Sequence, residues 1–320
     1  TTEFEPGTYE VGYLRLNDFA ENSIDFYKAD VQDLGSNFST GLNVYFPKAD
    51  EISTGKTRVI ASSKSDFVFG ANGSDDVVEA GDGDDEIYTG SGDDDVDAGP
   101  GDDKIIGGAG EGDDRYDGGV GKDRIVYSSS ALGIVVDMEN GIASGSEIGS
   151  DILISIEEVV GGAGNDAFTL NNVSNTVFGA GGDDKFFNLE MNGFDSAFGG
   201  DGADSFYWAG HGTFVIAGDE GADTYYPEQL VEQGKVVIED FDAEEGDKLV
   251  LASLLPTLGK AWSDLESGLI TISEVFTLEQ NNKVHSLILS EAYQDGSGKL
   301  LVAEIHGINE LADIADIVDA

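Results

Sequence analysis

The 320-residue chain contains no cysteine. That absence excludes disulfide bridges, thiolate catalysis and Cys-ligated zinc or iron–sulfur centres. In an oxidising compartment something other than disulfides must then stabilise the fold. Histidine is scarce: His211, His285 and His306 stand apart in sequence, with no partner at metal-ligand spacing, and read as structural residues. Basic residues are few. Sixteen Lys and Arg stand against 64 Asp and Glu, a formal net charge of −48 at pH 7. Phosphate recognition needs clustered cations, so a nucleic-acid or anionic-membrane partner is excluded. No apolar run reaches the roughly 18 residues a membrane helix needs, so no membrane span is read. The first residues, Thr1-Thr2 onward, lack the basic and then apolar pattern of a cleavable signal peptide. Catalytic signatures are missing as well. There is no H-E-x-x-H zinc motif and no G-x-S-x-G nucleophile elbow. Gly55-Lys56-Thr57 ends like a phosphate-binding loop, but Asp50 stands where its first Gly belongs.

What is present is apolar residue, aspartate and glycine. Apolar residues make up 40% of the chain and include 17 Phe, which supports a packed core. Asp outnumbers Glu and accompanies 45 Gly, a pairing that suits loops holding cations. Both concentrate after residue 70 in a nine-residue period. The segments 80–88 (AGDGDDEIY), 89–97 (TGSGDDDVD) and 98–106 (AGPGDDKII) run without a gap, and 109–117 (AGEGDDRYD) and 118–126 (GGVGKDRIV) follow. A copy at 70–78 (GANGSDDVV) leads the series, offset by Glu79. Each follows G-G-x-G-x-D-x-U-x, a repeat that binds calcium in parallel β-helices. So many Gly and Asp cannot form a helix. They can form a tight turn whose carbonyls and sixth-position carboxylate offer a hard, Ca²⁺-sized cation an all-oxygen site. The candidate ligands are Asp75, Asp85, Asp94, Asp103, Asp114 and Asp123, with the turn glycines Gly81, Gly83, Gly90, Gly92, Gly99, Gly101, Gly110, Gly112, Gly119 and Gly121. The last three residues of each copy read as a short strand with one core residue: Val77, Ile87, Val96, Ile105, Tyr116 and Ile125. Two nonapeptides then close one flattened turn, and turns stack at the strand spacing of about 4.8 Å.

A second series keeps only half of the motif. Segments 161–169, 179–187, 199–207 and 218–226 carry Asp166, Asp184, Asp204 and Asp223 at intervals of 18, 20 and 19, one turn each. With Gly162, Gly164, Gly182, Gly200, Gly202 and Gly221 they form a metal edge, whereas the intervening half-turns have lost most Gly and Asp. That opposite edge reads as metal-free, with Asp195 replaceable. The aromatic pairs leave Phe187, Tyr207 and Tyr226 facing outward, where they could stack on a sugar. The stretch 240–247 has the carboxylate density of an EF-hand loop without its sixth-position Gly, and reads as a cap or a lone calcium contact.

The expected fold is all-β: a right-handed parallel β-roll with β-rich caps at both ends, since a solenoid must cover its open sheet edges. The boundaries read as an N-terminal cap over 1–60, a first roll block over 61–126, linking solenoid turns over 127–160, a second block over 161–226 and a C-terminal cap over 227–320. In the caps, strands are expected at 9–16, 23–27, 42–46, 235–241, 248–251 and 269–272, with a hairpin of 284–292 and 299–306 around Asp295-Gly296 and helices at 261–266 and 310–318.

The repeats at 70–226 resemble those of the RTX, or haemolysin-type calcium-binding, family. The stretch VVIEDFDAEEGDKLVL and the tail LVAEIHGINELADIADIVDA resemble the end of serralysin-type β-roll domains. The resemblance implies a secreted protein exported through a type I secretion apparatus and holding several Ca²⁺ ions, about six to ten by one ion between successive turns. Two function classes fit. One is a non-catalytic structural or adhesive protein at the cell surface or in the extracellular matrix, with cell-surface polysaccharide or its own copies as partners. The alternative is a secreted polysaccharide-active enzyme (lyase, epimerase or hydrolase) on the same scaffold. A uniformly acidic chain suits acidic-sugar chemistry poorly, which favours the first class.

Overall fold

A computed structural model describes residues 56–250, except 71–72, 108–111, 192, 211, 229–234 and 243, together with the backbone of six strands outside that stretch. Every regular element among the described residues is a strand, and none is a helix long and apolar enough to cross a membrane. The chain divides into two compact units, Thr1–Arg124 and Ile125–Ala320.

In unit 1, successive strands alternate between two parallel sheets. Lys56–Ile60, Asp75–Glu79, Asp95–Pro100 and Arg115–Val120 stack in one. Asn43–Tyr45, Asp66–Phe69, Glu86–Tyr88 and Lys104–Ile106 stack in the other. Parallel pairing in register puts like residues over one another, so the core is two aliphatic-rich rows. Val68, Ile87 and Ile105 form one row, and Val78, Val96 and Tyr116 the other, all with no exposed area. The row corrects one sequence assignment: Val78 is buried, and Val77 is 38% exposed. The leading copy is read one residue early at 70–78; its frame is 71–79. The roll also starts before residue 61, since 43–45 and 56–60 already pair in these sheets. Ahead of them, Tyr13–Asn17 and Ser23–Tyr27 form an antiparallel hairpin.

Unit 2 repeats the scheme with aromatic filling. Ala167–Thr169, Lys185–Met191, Ser205–Gly210, Thr224–Pro227 and Lys248–Leu249 form a parallel sheet whose buried row is Phe168, Phe186, Phe206, Tyr225 and Leu249. The first three ring pairs stack at centroid distances of 5.2, 4.7 and 5.4 Å. The second sheet, Glu158–Val160, Thr176–Gly181, Phe194–Asp201, Thr213–Glu220 and Lys235–Ile238, offers a smaller buried row of Val159, Val177, Ala197, Ile216 and Ile238. Large residues on one sheet are matched by small ones on the other, which fills a thin core without strain.

The linking stretch is not a run of plain solenoid turns. Ile134–Asp137, Ile142–Gly145 and Gly149–Ile154 form an antiparallel meander, whose first strand pairs parallel to Ala167–Thr169. At the far end Lys299–His306 pairs parallel to Lys235–Ile238 and antiparallel to Asn282–Glu291, which gives the expected hairpin; Ile270–Glu279 adds a third antiparallel strand. The expected helices at 261–266 and 310–318 lie outside the described residues, as do His211 and the side chains of His285 and His306.

Candidate metal centre

The tight turns between sheets stack as closely as the strands do, and this dictates their glycines. A Cβ on Gly99, at φ +105°, would lie 2.1 Å from the carbonyl oxygen of Gly81 one turn below, and one on Gly101 would lie 2.0 Å from that of Gly83. No side chain fits there. The same crowding recurs at Gly119 and Gly121 in unit 1 and at Gly162, Gly164, Gly182, Gly200, Gly202 and Gly221 in unit 2. Gly83, Gly92 and Gly112 also press on the turn below, and Gly81 does so against Ser62. Gly90 shares the positive φ of this set, and Gly110 lies outside the described residues.

Each turn delivers its sixth-position aspartate to a buried row along the roll edge. The rows are held by one repeated bond: the backbone N–H of one aspartate donates to Oδ1 of the equivalent residue a turn later. In unit 1, Asp66, Asp85, Asp103 and Asp123 are linked in this way at 2.7, 2.7 and 2.9 Å. On the other edge the series is Asp76, Asp94 and Asp114, at 2.8 and 2.7 Å. In unit 2, Asp166, Asp184, Asp204, Asp223 and Asp247 follow at 2.7, 2.7, 2.8 and 2.8 Å. The frame correction applies here as well. Asp76, 1% exposed, takes the row position assigned from sequence to Asp75. Asp75 instead belongs to an outer row of fifth-position residues, where it accepts from the backbone of Asp93; Asp84 and Asp102 are linked alike.

The second carboxylate oxygen separates these residues into two groups. Asp66 Oδ2 accepts from the backbone N–H and hydroxyl of Ser62, Asp166 Oδ2 from Gly162 N–H, Asp114 Oδ2 from the Tyr116 hydroxyl and Asp247 Oδ2 from Asp242 N–H. By contrast Oδ2 of Asp85, Asp94, Asp103, Asp184, Asp204 and Asp223 is buried with no hydrogen-bond partner. Buried oxygens of this kind cost free energy unless something satisfies them. Burial, only partly offset by the backbone N–H bond and at Asp94 also by the Thr89 hydroxyl, pushes Asp85, Asp94 and Asp103 up to about 7 and Asp184 and Asp223 up to about 8; Asp204 rises to about 6. Neighbouring carboxylates add to the rise for Asp85, Asp103 and Asp184. A hard divalent cation reverses this logic by favouring the ionised form and taking up the open oxygens. Among the described residues no three Asp, Glu or His side chains gather at one point. An ion on these rows would therefore share each carboxylate with main-chain oxygens of the turns, a donor set that suits Ca²⁺.

The far edge of unit 2 is built from amides. Asp195 accepts from Asn175 N–H at 2.9 Å and from the Asn188 side-chain amide at 2.9 Å, so both of its oxygens are held by protein. It is fully buried, so replacing it should carry a folding cost that the degenerate half-turn did not signal. Phe187, Tyr207 and Tyr226 do lie on one outer row, but their rings stack on one another at 4.9 and 4.4 Å, which takes both faces of Tyr207 and one face each of Phe187 and Tyr226. Sequence reasoning missed Asp66, the place of Asp247 at the end of a row, and the Asn175–Asp195–Asn188 group. Asp66 lies 19 residues before Asp85, one turn back, and that interval was the available signal. The cap loop at 240–247 holds Asp240, which accepts from Gly218 and Asp219 N–H, and Asp247, which extends the row.

Comparison with known families matches residues 70–105, 98–125 and 191–207 to the RTX calcium-binding nonapeptide repeat, in four copies. No curated protein matches the chain. The turns at 161–169 and 179–187 fall outside the matched segments, yet carry the same Asp-to-Asp bonds.

Proposed function

We propose that this chain, an RTX-type calcium-binding β-roll protein, is exported unfolded and works outside the cell as a non-catalytic structural or adhesive module that folds on Ca²⁺. The observation that carries the reading is the set of buried carboxylates with one open oxygen, repeated turn after turn at Asp85, Asp103, Asp184, Asp204 and Asp223. Bound Ca²⁺ supplies positive charge and several oxygen-coordination positions. The chain's own residues do the rest. The turn glycines allow loops to stack, the Asp N–H to Oδ1 bonds hold each carboxylate in place, and the strand residues close the core behind it.

Without metal the open carboxylates repel and resist burial, so the folded form is disfavoured where free calcium is scarce. Each site held at ten times its dissociation constant adds about 1.4 kcal/mol to folding, so several sites acting together exceed the usual stability of a domain. A chain that stays unfolded inside and folds outside suits a type I secretion apparatus, and the resemblance of the last residues to serralysin-type tails supports that route. Partners of the folded module are cell-surface polysaccharide or further copies of itself.

The test is a far-ultraviolet circular dichroism spectrum in chelator, in Mg²⁺ and in millimolar Ca²⁺. Strand signal should appear with Ca²⁺ and not with Mg²⁺, which demands a tighter octahedral shell. A spectrum indifferent to Ca²⁺ sinks the reading. Export is tested separately by co-expression with a type I exporter, with and without about the last 50 residues, a length scale of a small terminal module; release of the truncated chain refutes C-terminal export. Incubation with acidic and neutral polysaccharides decides between this module and the enzyme alternative, cleavage favouring the latter.

A further inference from the structure

The row carboxylates closed by a protein donor are not scattered. In unit 2 they are the first and last members, Asp166 and Asp247, with Asp184, Asp204 and Asp223 open between them. In unit 1 Asp66 at the head of one row and Asp114 at the end of the other are closed in this way, whereas Asp123, which ends the first row, shows no such donor to its Oδ2. The donors differ: a main-chain N–H for Asp166 and Asp247, a serine for Asp66 and a tyrosine for Asp114. What is shared is position. An end carboxylate has a neighbouring turn of its own kind on one side only, so it cannot complete an ion's shell from both sides.

We propose that these protein donors are end plugs that set where ion loading stops, and that Tyr116 is the plug of the Asp76–Asp94–Asp114 row, so that Asp114 holds no ion although its turn matches the repeat. The proposal rests on the calcium reading above and refines it. Tyr116 is fully buried, Asp114 is 7% exposed, and the hydroxyl lies 2.7 Å from Oδ2, so the contact is an internal one. A second D-x-Y turn shows that tyrosine at this place does not close the carboxylate by itself. At Asp223 and Tyr225 both Oδ2 and the hydroxyl lack a hydrogen-bond partner, and a further row member, Asp247, follows. Of these two turns, the tyrosine closes the carboxylate that ends its row and not the one whose row continues.

The experiment counts Ca²⁺ bound per full-length chain by equilibrium dialysis with elemental analysis, and checks folding of each variant by circular dichroism. Asp103→Asn alters an open carboxylate and should lower the count. Asp114→Asn keeps the Oδ1 acceptor and should leave the count at the wild-type value. Tyr116→Phe removes the plug, and the count should rise by one. The double variant Tyr116→Phe/Asp114→Asn should return to the wild-type count, while Tyr225→Phe should change nothing. An equal loss in Asp114→Asn and Asp103→Asn overturns the proposal, as does an unchanged count in folded Tyr116→Phe. Failure of the wild-type chain to bind Ca²⁺ at all would instead remove the underlying calcium reading.

Discussion

The two units solve the same stacking problem with different materials. Unit 1 has a buried aspartate row on each edge and a core of Val, Ile and one Tyr per pair of rows. Unit 2 has an aspartate row on one edge, an edge where Asn175 and Asn188 hold both oxygens of Asp195, and a column of stacked rings from Phe168 to Tyr225. Large rings bury more apolar area per turn than Val or Ile and add a stacking term. Where aspartate rows line both edges the apolar filling is slim; where Asn175, Asp195 and Asn188 replace one row the filling is large. The contrast predicts that metal and core are alternative sources of stability, with unit 1 depending more on the first.

The largest expected effect follows from that difference. As free Ca²⁺ is lowered, unit 1 should lose amide protection at a higher Ca²⁺ level than unit 2, measured by hydrogen exchange resolved to peptides within 75–106 and 196–227. Coincident midpoints would mean the rings of unit 2 confer no independence. Acidity should reveal the same balance without metal. The open carboxylates titrate higher in the folded state, about 7 for Asp85 and Asp103 and about 8 for Asp184 and Asp223, than the ordinary 3.8. The folded metal-free chain therefore binds more protons than the unfolded one. That contribution is fully present below about pH 4 and is lost as pH rises through 7 to 8, Asp204 dropping out first near 6. In chelator, strand content should fall on raising pH from 5 to 9. With Ca²⁺ present the trend should invert, because ion binding needs the deprotonated form. Strand content that rises with pH in chelator would contradict the assignment of these groups as buried and uncompensated.

A second test addresses the ring column alone. Phe186 is fully buried between Phe168 and Phe206. Phe186→Ala should cost about 3–5 kcal/mol, and Ile105→Val in unit 1 about 0.5–1.5 kcal/mol. Measured in saturating Ca²⁺ by denaturant titration, comparable losses would show that the two cores carry similar weight.

Much of this architecture was legible because a parallel ladder copies its residues from turn to turn. The nine-residue period alone marks the strands, the core residues from Ile87 to Ile125 and the aspartate rows. Where a copy departed from the period, reading failed in a definite way. At 70–79 an extra residue let two frames compete, Asp75 with Val77 or Asp76 with Val78, and burial of Val78 and Asp76 selects the second. The antiparallel meander at 134–154 was missed because its strands carry no repeat and were assumed to follow the turns around them. The split between open and closed carboxylates was invisible, since it depends on donors such as Gly162 N–H and the Tyr116 hydroxyl. Asp195 reads as a stray acid in a degenerate half-turn, and its amide partners come into reach only once the turns are stacked.

That residue supplies the smallest and most selective test. Asp195 joins three segments of unit 2: its Oδ1 receives the Asn175 N–H from the neighbouring turn, and its Oδ2 the Asn188 side chain. Burial raises its pKa, and the two donors oppose the rise. Asp195→Ala removes an acceptor that two buried donors share and leaves the Asn175 N–H and the Asn188 amide unsatisfied. The cost should be about 1–3 kcal/mol, the usual penalty for a stranded buried polar group. Because both oxygens already serve protein donors, the loss should be the same in limiting and in saturating Ca²⁺, and the number of ions bound should not change. Asp184→Ala, on the open row, should behave in the opposite way, with a deficit that shifts the Ca²⁺ midpoint and lowers the ion count. Thermal melts of both variants across a Ca²⁺ series separate the two. A Ca²⁺-dependent deficit in Asp195→Ala would place a cation on the amide edge and erase the contrast between the two units.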